Sequence, residues 1–239
     1  MTKIEVFPDA DTVASQAAKL IAKEAKDAVA ACGKFVMAVS GGRTPWIMLR
    51  GLGQEDVPWG AVHVVQVDER IAPPGDPDRN LTHLRESLLA NAPLPPEHVH
   101  EMPVDSCNFE SACLRYALTL EEIAGSPPVL DLVHLGLGPD GHTASLVPGD
   151  PVLDVEDADV ALTGIYQGRR RMTLTYPIIN RSRFVLWLVT GKEKTGMLPR
   201  LMAGDTSIPA GRVRANRAVV LADRAAASEA VKNSKVEVA

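Results

Sequence analysis

Short apolar runs alternate with longer amphipathic stretches along this chain. Runs such as 34–39 and 184–189 are apolar at most positions and have no clear polar face. Strands that are covered on both faces have this composition, and the stretches between them have the length and periodicity of helices. The predicted strands span residues 4–7, 34–39, 63–67, 99–102, 130–135, 160–163, 172–175, 184–189 and 219–221. The alternation predicts an α/β fold with a mostly parallel sheet flanked by helices.

Several helix ends are marked in the sequence. Asp11 is a candidate N-cap for an alanine-rich helix that runs to about residue 31, and Gly33 is placed to end it. Thr44 and Pro45 are expected to open a second helix, because threonine is a good N-cap and proline is favoured at the first helical position. After the last strand, Asp223 leads into a predicted terminal helix, and we expect residues 233–239 to fray.

The composition and net charge disfavour several classes of protein. The 239 residues carry a net charge of -5 without a basic block, which disfavours a nucleic-acid partner. Three cysteines without C-x-x-C spacing imply neither a disulfide framework nor a zinc site. No apolar leader or membrane-length apolar stretch is found, so we expect a cytoplasmic protein without a membrane partner. We also expect one domain over residues 1–239, with room for a small lobe inserted after Val147, and a monomer or weak homo-oligomer.

A glycine- and proline-rich loop at 136–149 follows the apolar run that ends at Leu135. Glycine and proline force the backbone through unusual turns. Asp140 and His142 lie in the middle of this loop, at the end of a predicted buried strand, where open α/β sheets usually bind ligands. The alternative is an ordinary turn whose polar residues are solvated.

The segment 40–45 is a candidate anion site. Ser40, Gly41, Gly42, Arg43 and Thr44 lie between a predicted strand and a predicted helix, where free N–H groups and the helix dipole attract phosphate. The segment matches neither the dinucleotide fingerprint nor the Walker sequence, so dinucleotides and ATP are not supported. A tight turn without a ligand is the alternative.

Three further groups of charged residues follow or precede predicted elements. Asp68, Glu69 and Arg70 end one strand, Lys192 and Lys194 flank the start of a helix, and a basic cluster occupies 169–171. Lysines in a first helical turn run against the usual acidic preference, so an anionic ligand is a reasonable partner for them. The alternative for 68–70 is a solvated loop rim with an internal ion pair, and for the lysines it is simple surface charge. A solvated basic turn explains 169–171 as well as a phosphate contact does.

His142 is the only one of the six histidines that lies in a glycine-rich loop after a buried strand, where an imidazole can reach a ligand and titrate near neutrality. His134 lies within a strand and is expected to pack. His98 and His100 are close in sequence, but two histidines make a poor zinc site. We expect no required metal and no cofactor.

In this order, the segments resemble the 6-phosphogluconolactonase family, which is related to the glucosamine-6-phosphate deaminases. The match covers nearly the whole chain and rests most on 135–146, then on 67–70 and 40–45, with 171–175 and 190–194 as later segments. The resemblance implies a Rossmann-like sheet of the type shared with the deaminases and the CoA transferases. It also implies hydrolysis of 6-phospho-D-glucono-1,5-lactone, a phosphorylated sugar lactone.

The resemblance also implies roles for single residues. His142 would be the general base on water, and Asp140 would orient it. Arg70, the loop from Ser40 to Thr44, Lys194 and Arg171 would hold phosphate or the developing negative charge, and Asp68 would bind sugar hydroxyls. Which basic group serves which oxygen is left open by the sequence.

Two other functions are alternatives to hydrolysis. The deaminases have an aromatic residue after Asp-Glu and a Glu before the proline that closes the histidine loop, whereas this chain has Arg70 and Val147 there. A sugar-phosphate sensor on the same fold is the second alternative. Such a sensor is expected to carry a DNA-binding helical segment, and this chain starts with a predicted strand and keeps His142.

Overall fold

The computed structural model describes residues 3–229, and a seven-stranded parallel sheet forms its centre. The ten strands are β1 (Lys3–Phe7), β2 (Phe35–Val39), β3 (Val62–Gln66), β4 (Asp68–Arg70), β5 (Val99–His100), β6 (Leu132–Gly136), β7 (Val160–Leu162), β8 (Arg171–Leu174), β9 (Val185–Val189) and β10 (Ala218–Asp223). The parallel sheet has the order β1-β10-β9-β6-β2-β3-β5, with all pairs parallel. The predicted fold class is confirmed.

Helices cover both faces of this sheet. The α-helices are α1 (Ala10–Cys32), α2 (Arg43–Leu52), α3 (Asn80–Leu84, continued by a π-helical turn at Arg85–Leu89), α4 (Phe109–Ala124), α5 (Tyr176–Arg181) and α6 (Leu198–Met202). Side chains of a strand alternate between faces, so Met37 packs with α1 and α2 while Val36 packs with α4 and α5. Because both faces are covered, every residue of β2 is buried. This explains why the strand lacks a polar face.

The ends of α1 show one prediction right and one wrong. Gly33 ends the helix as predicted, in the left-handed region at φ 78°, and its N–H donates to the carbonyl of Val29. The N-cap is Asp9 and not Asp11: the Asp9 carboxylate accepts the Thr12 N–H at 2.8 Å, while Asp11 already lies in the first helical turn. Composition alone does not distinguish Asp9 from Asp11, which lies two residues further along the chain.

A second, three-stranded antiparallel sheet of order β4-β8-β7 lies beside the first. It contains the segment after Val147, where a small lobe was expected. Val160, Met172 and Leu174 of this sheet belong to the same apolar cluster as the α4 face of the parallel sheet. The insertion therefore shares a core with the main body. It also brings Arg70 and Arg171 opposite each other as register partners.

Near the carboxyl terminus, residues Ala226–Ser228 form a short 3-10 helix. The predicted terminal helix does not form over residues 224–229, which adopt turns and this 3-10 helix; the rest of it and the predicted frayed end at 233–239 lie outside the described residues. The helix predicted after residue 194 is shorter than expected: a 3-10 turn at Lys192–Lys194 precedes α6. Within 3–229, no helix has the length and apolar character needed to cross a membrane.

Candidate active site

A cavity of about 270 Å³ lies where the carboxyl ends of β2, β6 and β9 meet the second sheet. Ligands of open α/β sheets bind at this edge. The predicted site residues that line it are Ser40, Gly41, Gly42, Arg43, Thr44, Asp68, Arg70, His142, Arg171 and Lys194. Asp140, the remaining predicted residue, contacts His142. Segments that are far apart in sequence therefore converge on one cavity.

Asp140 and His142 form a hydrogen-bonded pair in the loop after β6. Asp140 Oδ1 lies 2.6 Å from His142 Nδ1 and also accepts the His142 backbone N–H at 3.2 Å. Burial acts to raise the pKa of Asp140, but the hydrogen bonds and charge of His142 outweigh it and hold that pKa below its ordinary value. The carboxylate thus orients the ring and fixes the proton on Nδ1. Within the described chain no hydrogen bond engages Nε2, which leaves its lone pair for a ligand.

The loop fits this pair because residue 138 is glycine. The loop is closed by hydrogen bonds from the Gly138 N–H to the His142 carbonyl and from the Gly141 N–H to the Gly138 carbonyl. A Cβ on Gly138 would lie 2.1 Å from His142 Nδ1 and 2.6 Å from Asp140 Oδ1. The backbone must therefore pass directly against the pair, which only glycine permits.

The three residues 68–70 have different roles. Asp68 lines the cavity and accepts a 2.6 Å hydrogen bond from the Ser145 hydroxyl. Glu69 is fully buried and accepts hydrogen bonds from the backbone N–H groups of Asn80 and Leu81 at the start of α3. Glu69 is therefore structural, as a carboxylate at a helix N-terminus commonly is.

Arg70 and Arg171 place two partly unsatisfied guanidinium groups at the cavity. Arg171 is 5% exposed, and its bonds run to the Ser145 hydroxyl at 3.4 Å and the Gln167 side chain at 3.2 Å. Arg70 Nη1 donates to the carbonyl of Asp78 at 2.9 Å. The Nε atoms of both arginines are buried and have no hydrogen-bond partner among residues 3–229. Because buried donors are normally paired, their presence at one cavity points to an anionic ligand.

The loop before α2 presents backbone donors to the same cavity. Gly42, at φ 137°, is the N-cap of α2, so the prediction that Thr44 fills that position is wrong: Thr44 lies inside the first turn and its hydroxyl bonds that of Thr190 at 2.7 Å. The Ser40 hydroxyl donates to the carbonyl of His134. Its proton is therefore already used within the protein.

Lys194 reaches the cavity from the 3-10 turn after β9. Burial lowers the pKa of Lys194, while the charges of Glu193 and Asp140 act to raise it. The ammonium lies 3.9 Å from Glu193, which also lines the cavity. Of the basic cluster 169–171, only Arg171 lines this cavity. Arg169 is engaged by Asp76 and Asp78.

Sequence patterns missed four residues here. Asn80 donates to the Asp68 carbonyl and accepts from Arg70, and a Cβ on Gly41 would lie 2.0 Å from its side-chain oxygen. Thr190 and Glu193 also line the cavity, and Tyr166 contacts Asp140. The segment 190–194 was itself a signal for Thr190 and Glu193. No sequence signal identified Asn80 or Tyr166 as site residues. No group of three or more His, Cys, Asp or Glu residues suited to a metal ion occurs between residues 3 and 229.

Comparison with known proteins identifies the family and the fold of this chain. The family model described as glucosamine-6-phosphate isomerases/6-phosphogluconolactonase matches residues 8–222. A 6-phosphogluconolactonase of Mycobacterium tuberculosis is 36% identical over 242 residues, which cover 95% of this chain and 98% of that protein. The crystal structure of 6-phosphogluconolactonase from Thermotoga maritima has a TM-score of 0.83 at 30% identity, covering 93% of this chain and all of that one. A monomeric glucosamine-6-phosphate deaminase also has a TM-score of 0.83, at 19% identity, with 95% and 100% coverage. That last similarity shows the fold alone.

Proposed function

This chain belongs to the glucosamine-6-phosphate isomerase/6-phosphogluconolactonase family, and we propose that it hydrolyses 6-phospho-D-glucono-1,5-lactone to 6-phospho-D-gluconate in the oxidative pentose phosphate pathway. The observation that carries this proposal is the Asp140–His142 pair. Its Nε2 has no hydrogen-bond partner among residues 3–229, and His142 lines a cavity that also has four cationic side chains, those of Arg43, Arg70, Arg171 and Lys194. A base beside cations suits the addition of water to a carbonyl of an anionic substrate.

In the first step, His142 Nε2 takes a proton from a water molecule as the water oxygen attacks the lactone carbonyl. Nδ1 keeps its proton, and the Asp140 carboxylate stabilises the imidazolium that forms. The carbonyl π electrons move to oxygen, which gives a tetrahedral oxyanion. In the second step the oxyanion collapses, the bond to the ring oxygen breaks, and the imidazolium returns its proton to that oxygen. The products are an open-chain acid and a neutral histidine.

One set of donors suits the phosphate of the substrate, and another suits the oxyanion of the tetrahedral intermediate. The free backbone N–H groups of the loop before α2 and the cations Arg171 and Lys194 suit the dianionic phosphate, because a helix N-terminus and cations bind phosphate well. Arg70, which bonds Asn80 beside Asp68, suits the developing oxyanion. Asp68 retains acceptor capacity for a sugar hydroxyl.

The deaminase alternative is disfavoured by one position. Val147 occupies the place of the deaminase glutamate; it is 5% exposed and does not line the cavity. The sensor alternative is disfavoured by the oriented Asp140–His142 pair, since binding alone requires no base with a free lone pair.

The test is a rate assay with freshly generated 6-phosphogluconolactone beside glucosamine 6-phosphate, with spontaneous lactone hydrolysis subtracted. We expect turnover of the lactone only. Activity on glucosamine 6-phosphate alone would establish the deaminase alternative, and tight binding without turnover of either compound would establish the sensor.

We further propose that residues 1–239 act as one cytoplasmic domain, as a monomer or weak homo-oligomer, without a metal or cofactor. The shared apolar core of the two sheets supports the single domain. Sedimentation over a tenfold concentration range tests the oligomeric state, and full lactonase activity after exhaustive chelation tests independence from metals.

A further inference from the structure

We propose that Tyr166 is a positioning residue. Its hydroxyl holds the Asp140 carboxylate in the orientation that bonds His142, and its ring contacts Arg171. The proposal rests on the proposed function for its kinetic test. It also has a spectroscopic test that does not need turnover.

The Tyr166 hydroxyl bonds the oxygen of Asp140 that His142 does not use. Tyr166 OH donates to Asp140 Oδ2 at 3.1 Å, while Oδ1 bonds His142 Nδ1 at 2.6 Å. The two bonds fix both carboxylate oxygens, and the plane of the carboxylate is set by residues on either side of it. Burial and the Asp140 charge raise the pKa of Tyr166, so the hydroxyl keeps its proton and remains a donor.

The ring of Tyr166 makes two further contacts. Its edge meets the His142 ring at a centroid distance of 5.4 Å and an interplanar angle of 65°. The Arg171 guanidinium lies over its face, 5.0 Å from the centroid. A cation over a tyrosine face is a favourable contact. One side chain therefore touches the proposed base, its carboxylate and a proposed phosphate-binding cation.

The backbone holds Tyr166 in place before any ligand arrives. Tyr166 and Arg169 form an antiparallel bridge across a tight turn, in which Gln167 and Gly168 have φ values of 51° and 80°. Arg169 is anchored to Asp76 at 3.0 Å and to Asp78 at 2.9 Å. The turn is thus fixed at its far side by two ion pairs and at its near side by Asp140.

Loss of the hydroxyl has a predictable electrostatic direction. The hydrogen bond from the Tyr166 hydroxyl draws part of the negative charge of the Asp140 carboxylate toward Oδ2. Without that hydroxyl, more of the charge lies on the oxygen that bonds His142, which favours the imidazolium form of His142. His142 must be neutral to act as a base, and the acid limb of the pH–rate profile should therefore move to higher pH. The charged or titratable groups around the pair are Asp140, Tyr166, Arg43, Arg70, Arg171, Lys194, Glu193 and Asp68, and only Tyr166 is changed.

The test compares Tyr166→Phe with Tyr176→Phe, in which the lost hydroxyl donates to the carbonyl of Pro209, away from the cavity. For Tyr166→Phe we expect the acid limb of kcat/KM to move up by about half a pH unit or more. We also expect kcat to fall about tenfold, because the base is less well oriented. The Tyr176→Phe profile should match the unsubstituted protein.

The imidazole proton resonances of His142, assigned with His142→Gln, give the second measurement. Their titration midpoint should move upward in Tyr166→Phe by the same amount as the acid limb. An unchanged midpoint in a folded Tyr166→Phe protein would overturn the proposal. If the unsubstituted protein shows no lactonase activity, the proposed function fails, and the titration still decides the role of Tyr166.

Discussion

The Gly138 backbone passes directly against the proposed catalytic pair, and replacing this residue by alanine tests that pair directly. The Gly138 backbone is not in the left-handed region, so alanine can adopt its conformation. The added Cβ would, however, lie 2.1 Å from His142 Nδ1 and 2.4 Å from Cε1, whereas ordinary contact begins at 3.4 Å. The ring must therefore move by about 1.3 Å, which breaks its bond to Asp140 or turns Nε2 away from the substrate.

The size of the effect follows from this displacement. A misplacement of about 1 Å costs an enzyme roughly a hundredfold in rate. This corresponds to about 2.7 kcal/mol of lost transition-state stabilisation. Thermal stability should change little, because the ring can move into the cavity. A change of about 1 kcal/mol would shift Tm by only about 2–4 °C in a chain of this length.

Gly196→Ala is the matched control. Gly196 has an ordinary φ, no atom of the described residues outside its immediate chain neighbours lies within 4 Å of its added Cβ, and it does not line the cavity. We expect Gly138→Ala to lower kcat/KM for the phosphorylated lactone about a hundredfold relative to Gly196→Ala, with Tm values within about 4 °C of each other. If the two variants were within about threefold of each other, either the pair would not be catalytic or the loop would accommodate the methyl group.

Three other substitutions test separate parts of the structure. His142→Ala should lower lactone hydrolysis by about a hundredfold or more while the protein stays folded by circular dichroism, and near-normal activity would contradict the general-base role. Lys194→Ala should raise KM for the phosphorylated lactone and leave unphosphorylated gluconolactone little affected, whereas equal effects on both substrates would remove Lys194 from the phosphate site. Burial and neighbouring positive charge lower the pKa of His63 from 6.5 to about 4. Between these pH values the unfolded chain takes up a proton that the folded chain does not, so stability is lost as pH falls through that window, and His63→Gln should flatten the pH dependence of the urea midpoint. An unchanged slope would show that another group dominates.

The parts of the fold that were predictable from sequence are those that depend on local pattern. The β2 and β9 strands are buried on both faces, and this removes the polar alternation that a one-sided strand would show. Gly33 could be recognised as a helix end because only glycine enters the left-handed region cheaply. The Asp140–His142 loop was recognisable for a related reason, since its glycines and prolines mark a backbone with special turns.

The parts that were missed depend on pairing between distant segments. The antiparallel pairing of β4 with β8 joins residues about a hundred positions apart, and residues 68–70 carry no sequence pattern that predicts this pairing. Asn80 and Tyr166 contact the site only because α3 and the turn before β8 pack there. Glu69 has the same composition signal as Asp68, but strand alternation points it into the body of the protein, where it accepts backbone donors of α3.

The number of side chains that can carry a proton limits the reactions that this site can catalyse. Amine chemistry with ring opening requires the relay that the deaminases complete with a glutamate, and here Val147 is buried at that position, away from the cavity. Lactone hydrolysis requires only one proton carrier, because the proton taken from water is the one that the departing ring oxygen needs. In the proposed mechanism His142 is this carrier, and Asp140 stabilises its positive charge between the two steps. Hydrolysis needs no second proton carrier, so it needs no carboxylate at position 147.

Val147→Glu alone should not confer deaminase activity. The new carboxylate would lie in a buried position that does not open onto the cavity. Release of ammonia from glucosamine 6-phosphate by a folded Val147→Glu protein would contradict this argument.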